Sequence, residues 1–214
     1  MEHRLRRRGR SPAPQPVTIV CDDAPPVASN VVMRTLQPLQ PLLLLLATLV
    51  LAGTATAAPL APGAALPPLR GELLTGRDAE LPALTHGKVA LVAFGFTRNS
   101  SKDVEAWVGR FKSAYGSDTS FTWIEVPLIN SGMAKLMKPL IQGGMRGGTP
   151  EPDRAHVMTV WGAPHAWKDW LEFGEPASAY LVLLDREGRV RWRGAGPLDD
   201  SRWRELAAAG NTLR

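Results

Sequence analysis

The sequence predicts an α/β fold: a three-layer sandwich with a central mixed sheet that ends in a β-hairpin and a helix. Apolar runs of strand length alternate with segments of helical periodicity between residues 89 and 173. A nearly continuous apolar run, residues 89–96, is followed directly by an amphipathic segment, residues 100–115. Two further apolar runs flank a turn at residues 185–188 near the end of the chain. This alternation is typical of helices that cover both faces of one sheet.

The first predicted elements are a hairpin and a central strand. Residues 71–81 form the hairpin, with the sequence Thr-Gly-Arg-Asp at residues 75–78 as its turn. His86 and Gly87 then interrupt the chain before the strand at residues 89–96. That strand is rich in β-branched and aromatic apolar residues, so we expect it to be buried on both faces.

The next element is an amphipathic helix over residues 100–115. Its apolar positions follow helical spacing and form one stripe: Val104, Trp107, Val108 and Phe111. Ser100 or Ser101 can cap its first turn. Gly116 stands near its end, where a left-handed residue often terminates a helix. The strand, the loop after it and this helix therefore form one unit.

A second strand is predicted at residues 120–129 and a second helix at residues 132–141, which Pro139 should shorten or kink. The sequence Gly-Gly-Met-Arg-Gly-Gly at residues 143–148 is too rich in glycine for regular structure, so we expect an irregular loop. A mobile loop is one interpretation of this segment. The other is a contact loop in which Met145 supplies an adaptable apolar contact and Arg146 pairs with a carboxylate of a partner.

The remaining predicted elements are a strand at 156–161, a helix at 164–173, paired strands at 180–184 and 189–193, and a helix at 201–209. Pro164 suits the first turn of its helix, and Ser201 is the expected cap of the last one. The resulting order is hairpin, β, α, β, α, β, α, β, β, α. That order describes a thioredoxin-like sandwich.

Two segments precede the predicted domain. Residues 1–32 are rich in Pro and Arg and are predicted to be an unstructured leader or the product of a start codon assigned too far upstream. Residues 33–57 have the parts of a signal peptide: a basic start at Arg34, an apolar run at residues 42–52, and Ala-Thr-Ala at residues 55–57. The apolar run is shorter than the roughly 18–20 residues of a spanning helix, which makes an uncleaved anchor the alternative.

The predicted domain organisation follows from this leader. After the signal peptide, residues 58–69 are rich in Pro, Ala and Gly and are predicted to be an extended linker, and residues 70–214 form the thioredoxin-like domain. The processed protein would be exported, and either periplasmic or associated with a membrane. The mitochondrial inner membrane is the alternative location.

Charge and cysteine content exclude several functions. The net charge is +5, but residues 1–57 carry six basic and three acidic side chains, which leaves about +2 for the remainder. The basic residues of that remainder are interspersed with acidic ones, so a nucleic-acid partner is not expected. The single cysteine is Cys21, so the predicted domain has neither a disulfide nor a thiol nucleophile.

The loop at residues 97–101 is the most informative feature of the predicted unit. A thioredoxin-type site needs a cysteine at the start of the helix that follows its strand, where the helix dipole lowers the thiol pKa. The loop reads Thr-Arg-Asn-Ser-Ser. If residues 94–97 are aligned with the similar Phe-Gly-Tyr-Thr of Sco proteins, Asn99 and Asp103 stand at the two cysteine positions. On a C-x-x-C spacing the pair would be Asn99 and Lys102, again without sulfur.

No other catalytic, metal or nucleotide motif is present. His86, His156 and His165 form no metal-binding pattern, and the chain lacks G-x-S-x-G, Walker A and G-x-G-x-x-G sequences. We therefore expect no catalytic residue, no cofactor, no metal and no small-molecule substrate. Trp107 and Trp123 are predicted to lie in the core, and the five later tryptophans lie either in the core or on an apolar surface.

Three segments carry a resemblance to a known family: residues 81–107, 139–148 and 180–200. The most specific motifs are Gly95-Phe96-Thr97-Arg98, then Leu-Asp-Arg-Glu-Gly at 184–188, and Trp-Arg-Gly at 192–194. Together they resemble the ATP synthase assembly factor family of mitochondrial Atp-ten, which is thioredoxin-like without the redox pair. The resemblance implies a chaperone-like role in assembling the membrane sector of ATP synthase, through contact with a membrane subunit.

The leading hypothesis is a non-enzymatic, exported thioredoxin-like protein that assists assembly of a membrane complex. Its candidate partner-binding residues are Arg98, Asn99, Ser100, Met145 and Arg146. Two alternatives stay open: an enzyme related to peroxiredoxin or Sco proteins that has exchanged its cysteines for another chemistry, and a generic periplasmic binding module.

Overall fold

The structure, a computed structural model, describes residues 59–214. The predicted leader and signal peptide lie outside these residues. The strands are β1 (Leu69–Leu73), β2 (Asp78–Leu81), β3 (Val89–Gly95), β4 (Phe121–Ile129), β5 (Met158–Trp161), β6 (Tyr180–Leu184) and β7 (Val190–Ala195). The helices are α1 (Ser101–Tyr115), α2 (Gly132–Leu136), α3 (Lys138–Gly148), α4 (Ala166–Trp170) and α5 (Asp200–Asn211).

The seven strands form one mixed sheet in the order β2-β1-β5-β4-β3-β6-β7. Strands β3, β4 and β5 run parallel, with Phe94 opposite Val126 and Leu128 opposite Val160. The β1–β2 hairpin and the β6–β7 hairpin extend the sheet on its two sides, each by an antiparallel pairing. The predicted mixed sheet with a hairpin and a helix at its end is confirmed.

Helices α1 and α5 cover one face of the sheet. Because side chains alternate along a strand, Val89, Leu91 and Ala93 of β3 point to this face, where they pack in one apolar cluster with the predicted stripe of α1 and with Leu206. Trp107 is completely buried there, and its indole N–H donates to the Gly196 carbonyl at 3.0 Å. Trp123, also predicted to lie in the core, is half-buried at the margin of this cluster.

The opposite face has its own apolar cluster. Phe94, Val126 and Met158 point to it from the three parallel strands, and Trp167 of α4 covers them, with its ring centroid 5.3 Å from that of Phe94. Helix α4 is shorter than the predicted helix at 164–173. The sheet is therefore buried on both sides, as expected for a three-layer sandwich.

The segment predicted to be a linker packs against the domain from residue 59 onward. Leu60 and Leu66 are buried in the same cluster as Trp167. The backbone of this segment also pairs with β7: Gly63 N–H donates to Val190 O at 2.7 Å, and Val190 N–H donates to Ala64 O at 2.8 Å. The backbone of residues 63–66 thus lies along the edge of the sheet at the start of β7.

The prediction of an irregular loop at residues 143–148 is wrong, because helix α3 continues through Gly148. The chain breaks earlier, at Met137, and Pro139 lies in the first turn of α3, where its missing N–H costs no hydrogen bond. Three tertiary contacts, described below, stabilise the helix despite its four glycines.

Two helix ends in the structure also differ from those predicted from the sequence. Asp199, and not Ser201, caps α5, because its Oδ1 accepts hydrogen bonds from the N–H groups of Ser201 and Arg202, both at 2.9 Å. Gly116 follows α1 with a right-handed φ of −64° and donates to Lys112 O at 2.8 Å, so it continues the helical turn. The expectation of a left-handed glycine at residue 116 is therefore wrong.

The turn of the β6–β7 hairpin is organised by a buried carboxylate. Asp185 accepts hydrogen bonds from the N–H groups of Glu187 and Arg189 and from Nε of Arg191, at 2.7–3.0 Å. Burial would raise the pKa of Asp185, but these hydrogen bonds outweigh it and hold the pKa below its usual value. This explains the acidic residue in the Leu-Asp-Arg-Glu-Gly motif.

No helix within residues 59–214 is both long enough and apolar enough to cross a bilayer.

Candidate functional site: the loop after strand β3

The loop between β3 and α1 occupies the place where the sequence predicted a vacated redox site. After Gly95 the chain forms a 3₁₀ turn at Arg98–Ser100 and enters α1 directly. The Thr97 hydroxyl donates to the carbonyl oxygen of Pro176 at 2.8 Å, which joins this loop to the segment before β6. The two segments that flank the start of α1 are thus held together by a hydrogen bond, with no sulfur atom in either.

Ser100 is completely buried, so its assignment as a partner-binding residue is corrected. Its hydroxyl donates to Thr97 O at 2.7 Å and accepts from Thr97 N–H at 3.5 Å, which fixes the 3₁₀ turn. The turn fits because residue 95 is glycine: a β-carbon there would lie 2.8 Å from the Ser100 hydroxyl oxygen. Ser100 therefore shapes the loop and does not reach its surface.

Aromatic side chains support the loop from below. The Phe96 ring lies 4.5 Å from that of Phe173 and meets the Tyr180 ring edge-on at 5.5 Å. The Tyr180 hydroxyl accepts hydrogen bonds from the N–H groups of Gly174 and Glu175, at 2.9 and 2.8 Å. These contacts fix the segment at residues 173–180 against the loop and explain Phe96 in the Gly-Phe-Thr-Arg motif.

Arg98 and Asn99 are the exposed residues of this loop's 3₁₀ turn. Asn99 stands where a redox relative would place its first cysteine, and its amide offers both donors and an acceptor. The Arg98 guanidinium offers donors suited to a carboxylate. The loop can therefore bind polar groups of a partner, but it has no nucleophile for thiol exchange.

Met145 and Arg146 lie on α3, far along the sheet from Arg98 and Asn99. Nε of Arg146 donates to the carbonyl oxygen of Leu74 at 2.7 Å, which holds Arg146 beside the end of β1. Strand β1 is three strand positions from β3, or about 14 Å. The predicted contact residues therefore belong to two separate regions of the surface.

Two more contacts attach α3 to the sheet. Lys138 pairs with Glu72 at 2.9 Å, and this hydrogen bond is the main reason that the pKa of Glu72 lies below its usual value. Buried Gln142 donates to the Thr159 hydroxyl at 3.2 Å. Met158 of β5 packs in the cluster on the face opposite α1. Because side chains alternate along a strand, the next residue, Thr159, points to the face of α1. Helix α3, which bonds Thr159, therefore covers the same face as α1.

Sequence reasoning missed Glu125, which lies on the central strand β4 opposite Ala93. Burial, reinforced by the negative charges of Glu105 and Asp153 and only partly opposed by Lys112, raises the pKa of Glu125 to about 7. The signal was present in the sequence. Glu125 follows Phe121 and Trp123 at intervals of two, so strand alternation places it on their side of the sheet.

The three histidines do not form a site together. His156 stacks on Trp123 with ring centroids 4.0 Å apart, and its Nδ1 lies 3.0 Å from the Trp123 carbonyl oxygen. His86 follows a 3₁₀ turn and His165 precedes α4, both exposed. In the part of the chain that the structure describes, no three His, Cys, Asp or Glu side chains are grouped to hold a metal ion.

Solved structures share this fold at low sequence identity. A candidate protein disulfide isomerase of Bacteroides thetaiotaomicron is 18% identical, with a TM-score of 0.51 over 72% of this chain and 90% of that one. A candidate thiol-disulfide oxidoreductase of Bacteroides vulgatus is 14% identical, with a TM-score of 0.50 over 72% and 98% of the two chains. An uncharacterised conserved protein of Geobacillus kaustophilus is 15% identical, with a TM-score of 0.50 over 72% and 82%.

These similarities show the fold and confirm that it is thioredoxin-like. No curated protein sequence matches the chain. The family model described as ATP10 protein matches residues 61–213, which include the whole sheet, the loop after β3 and all five helices. The chain therefore belongs to the ATP10 protein family, the family of ATP synthase assembly factors that its sequence motifs resemble.

Proposed function

We propose that this protein is a non-catalytic, thioredoxin-like assembly factor that binds a subunit of a membrane complex, namely the membrane sector of ATP synthase. Membership of the ATP10 family supports the assembly role. The observation that carries the non-catalytic part is the loop after β3, where Asn99 takes the place expected for the first redox cysteine and a hydrogen bond from Thr97 to Pro176 joins the flanking segments. A thioredoxin fold with this loop keeps a surface that can bind a partner but has no cysteine thiol for disulfide exchange.

Arg98 and Asn99 are the first proposed contact region. Both are exposed, while the backbone beneath them is fixed by the Ser100 and Thr97 hydrogen bonds. A fixed loop binds a partner with a smaller loss of conformational entropy than a mobile one. The partner groups that match this region are carboxylates and backbone carbonyls, which accept from the guanidinium and the amide.

Met145 and Arg146 are the second proposed contact region. Both are half-buried on α3. Arg146 uses Nε to bond Leu74 O, which leaves its terminal nitrogens as donors for a carboxylate of the partner. Because this region is separate from the loop after β3, a partner that touches both must extend across the sheet face.

The proposed place of action is a membrane surface. The sequence predicts export, with the mitochondrial inner membrane as the alternative, and the location of the ATP10 family supports that alternative. The exported form would act from the periplasmic side. Both locations place the domain beside a membrane complex.

Site-specific crosslinking tests the proposed contact. A photoreactive residue in place of Asn99 should capture a subunit of the membrane sector when the full-length protein is expressed in its own cells and the membranes are illuminated. The matched control is the same residue in place of Ala114, which is exposed near the other end of α1. Capture of the same proteins from both positions, or of none, would refute the assignment of this loop.

An activity assay separates this proposal from the enzyme alternative. The full-length protein should not accelerate reduction of a disulfide substrate by dithiothreitol, and it should not consume hydrogen peroxide. The Cys21→Ser variant serves as the control for a thiol outside the described residues. Turnover that persists in this variant would show a chemistry that does not depend on cysteine, in favour of the enzyme alternative.

A further inference from the structure

An ion pair attaches helix α1 to the 3₁₀ turn at Glu151–His156, the segment that leads from α3 into β5. The Lys112 ammonium pairs with the Asp153 carboxylate at 2.7 Å and lies 4.9 Å from the centroid of the Trp123 ring. The two charged side chains are 35% and 28% exposed. Because the pair is partly shielded from water, its charges interact more strongly than they would on an open surface.

The carboxyl group of Glu125 lies beside this ion pair. Glu125 follows Trp123 by two positions on β4, so both side chains point to the face of α1 and their α-carbons are about 7 Å apart. The Lys112 ammonium over the Trp123 ring is close enough to act on the charge of Glu125. Within residues 59–214, Glu125 itself makes no ion pair. It is therefore a second carboxyl partner for Lys112 that the Lys112–Asp153 pair leaves unused.

The charges that act on Glu125 do not balance. Glu105 and Lys112 act from α1, and Asp153 acts from the turn. Glu105 and Lys112 stand seven residues apart, about two turns, on the same side of the helix. One ammonium therefore faces two carboxylates while Glu125 is neutral and three once Glu125 is ionised. The proton on Glu125 thus decides how many carboxylates compete for Lys112.

The strand neighbours of Glu125 carry no charge. Ala93 stands opposite it on β3, and Val157 bridges it on the other side. His156 is the nearby ring that can titrate, because it stacks on Trp123 with ring centroids 4.0 Å apart. Its protonation must therefore be separated from that of Glu125 by experiment.

We propose that protonation of Glu125 controls the attachment of the 3₁₀ turn to α1. While Glu125 is neutral, Lys112 binds Asp153 and the turn is attached. When Glu125 releases its proton to solvent, its carboxylate attracts Lys112 and repels Asp153, and the turn separates from α1. Burial and the neighbouring negative charges raise the pKa of Glu125 to about 7, so this change occurs close to neutral pH.

The change in the turn should reach helix α3. Helix α3 ends at Gly148, and Nε of Arg154 in the turn donates to the carbonyl oxygen of Thr149 at 3.2 Å. Separation of the turn from α1 would therefore loosen this end of α3, next to Met145 and Arg146. The inference rests on contacts within this chain and holds whether or not that region binds a partner.

A double-mutant cycle measures the attachment in the full-length protein. Lys112→Gln, Asp153→Asn and the double variant are unfolded with urea at about pH 6 and about pH 8.5, on either side of the Glu125 titration. At the lower pH we expect a coupling of about threefold between the two substitutions in the unfolding equilibrium constant, as for other partly exposed ion pairs. At the higher pH we expect the coupling to be lost.

Two background substitutions identify the group that titrates. In Glu125→Gln, whose side chain cannot ionise, the coupling should be about threefold at both pH values. In His156→Gln, which removes the neighbouring ring, the coupling should still be lost as the pH rises. These backgrounds therefore assign the pH dependence to one of the two side chains.

The Asp153 amide gives a readout local to the turn, because its N–H donates to Pro150 O at 3.0 Å. Its hydrogen exchange, measured by NMR and divided by the intrinsic rate at each pH, should rise about threefold from the lower to the higher pH. The rise should be absent in Glu125→Gln. The Leu66 amide, which donates to Gly188 O at 3.0 Å outside this cluster, is the control and should show no such rise.

Three results would overturn the inference. One is an equal coupling at the two pH values. Another is a pH dependence of the coupling that persists in Glu125→Gln or disappears in His156→Gln, which would assign the change to a different group. The third is an absence of coupling at the lower pH, which would show that the ion pair does not hold the turn. None of these results would contradict the proposed contact at Asn99.

Discussion

The pKa of Glu125 depends on charged side chains from several elements of the fold. It lies on the central strand β4, and the charges that act on it come from Glu105 and Lys112 of α1 and from Asp153 of the 3₁₀ turn before β5. Lys112 pairs with Asp153 at 2.7 Å, so its positive charge is shared and only partly offsets the two carboxylates. Burial and like charge together favour the protonated form of Glu125.

The raised pKa of Glu125 predicts a specific pH dependence of stability. Its pKa rises from 4.5 to about 7 on folding. The folded protein therefore holds this proton more tightly than the unfolded chain. Its stabilising contribution is complete below the unfolded pKa and is lost as the pH rises through the folded pKa. We expect Glu125→Gln to raise the free energy of unfolding by about 2–3 kcal/mol at about pH 8 and by about zero at about pH 4.

Urea unfolding at the two pH values measures this effect. Glu105→Gln is the control, because it removes a neighbouring negative charge from the exposed side of α1 and should give a smaller gain. Equal stabilities of Glu125→Gln and the unsubstituted protein at both pH values would show that Glu125 is not perturbed.

At the residue scale, the sequence predicted the loop after β3 but not the role of each residue in it. The alignment placed Asn99 at the first of the vacated cysteine positions, and Arg98, Asn99 and Ser100 were predicted as contact residues of this loop. Ser100 turned out to be buried, because its hydroxyl bonds the Thr97 backbone in the space that Gly95 leaves free. That fit depends on the packing of β3 against α1, which no local pattern encodes.

At the element scale, the strand β3 and the helix α1 were predicted closely because burial and periodicity agree there. All five buried residues of α1 lie on its apolar side, and β3 is buried at six of its seven positions. Helix α3 was missed because four glycines lower its helix propensity. Its tertiary contacts through Lys138, Gln142 and Arg146 outweigh that propensity.

The glycines of α3 predict an unusual gain in stability. Gly144 lies within the helix, and a β-carbon added to it would meet no other atom within 4 Å. Gly144→Ala should therefore raise the free energy of unfolding by about 0.5–1 kcal/mol, because alanine loses less backbone entropy on folding. Chemical denaturation of the full-length protein measures it.

Gly71→Ala is the contrasting variant. A β-carbon at residue 71 would lie 2.7 Å from Thr159 O and 2.8 Å from the Met158 side chain, where β1 pairs with β5. We expect a loss of about 1–3 kcal/mol from this overpacking. A loss of stability in Gly144→Ala similar to that in Gly71→Ala would contradict the helical assignment of residues 143–148.

At the scale of the whole molecule, the sequence predicted the architecture because strand and helix signals alternate along most of the chain. The N-terminal boundary of the domain, however, was predicted too late in the chain. Residues 58–69 look like a linker from their Pro, Ala and Gly content, but Leu60 and Leu66 pack under α4 and beside β7. The buried leucines of this proline-rich segment, Leu60, Leu66 and Leu69, follow no periodic pattern, so composition alone pointed to an exposed chain.

The packed N-terminal segment should contribute to the stability of the whole domain. Leu66 is 3% exposed and its N–H donates to Gly188 O at 3.0 Å. Leu66→Ala is expected to lower the free energy of unfolding by about 2–4 kcal/mol, the usual cost of a large-to-small change in a core. Pro62→Ala, at an exposed position of the same segment, is the control. Equal unfolding midpoints of the two variants would indicate a true linker.

The proposed role of the whole molecule is to serve the assembly of the membrane sector of ATP synthase with a thioredoxin-like fold that has no redox pair. Depletion of the protein, followed by native electrophoresis of solubilised membranes, measures that role. We expect complete ATP synthase to decline and its catalytic sector to accumulate free of the membrane sector. The unsubstituted protein should restore the complex, while a variant with Arg98→Glu and Asn99→Asp should restore it poorly. Complete ATP synthase at its normal level in depleted membranes would contradict the proposed role.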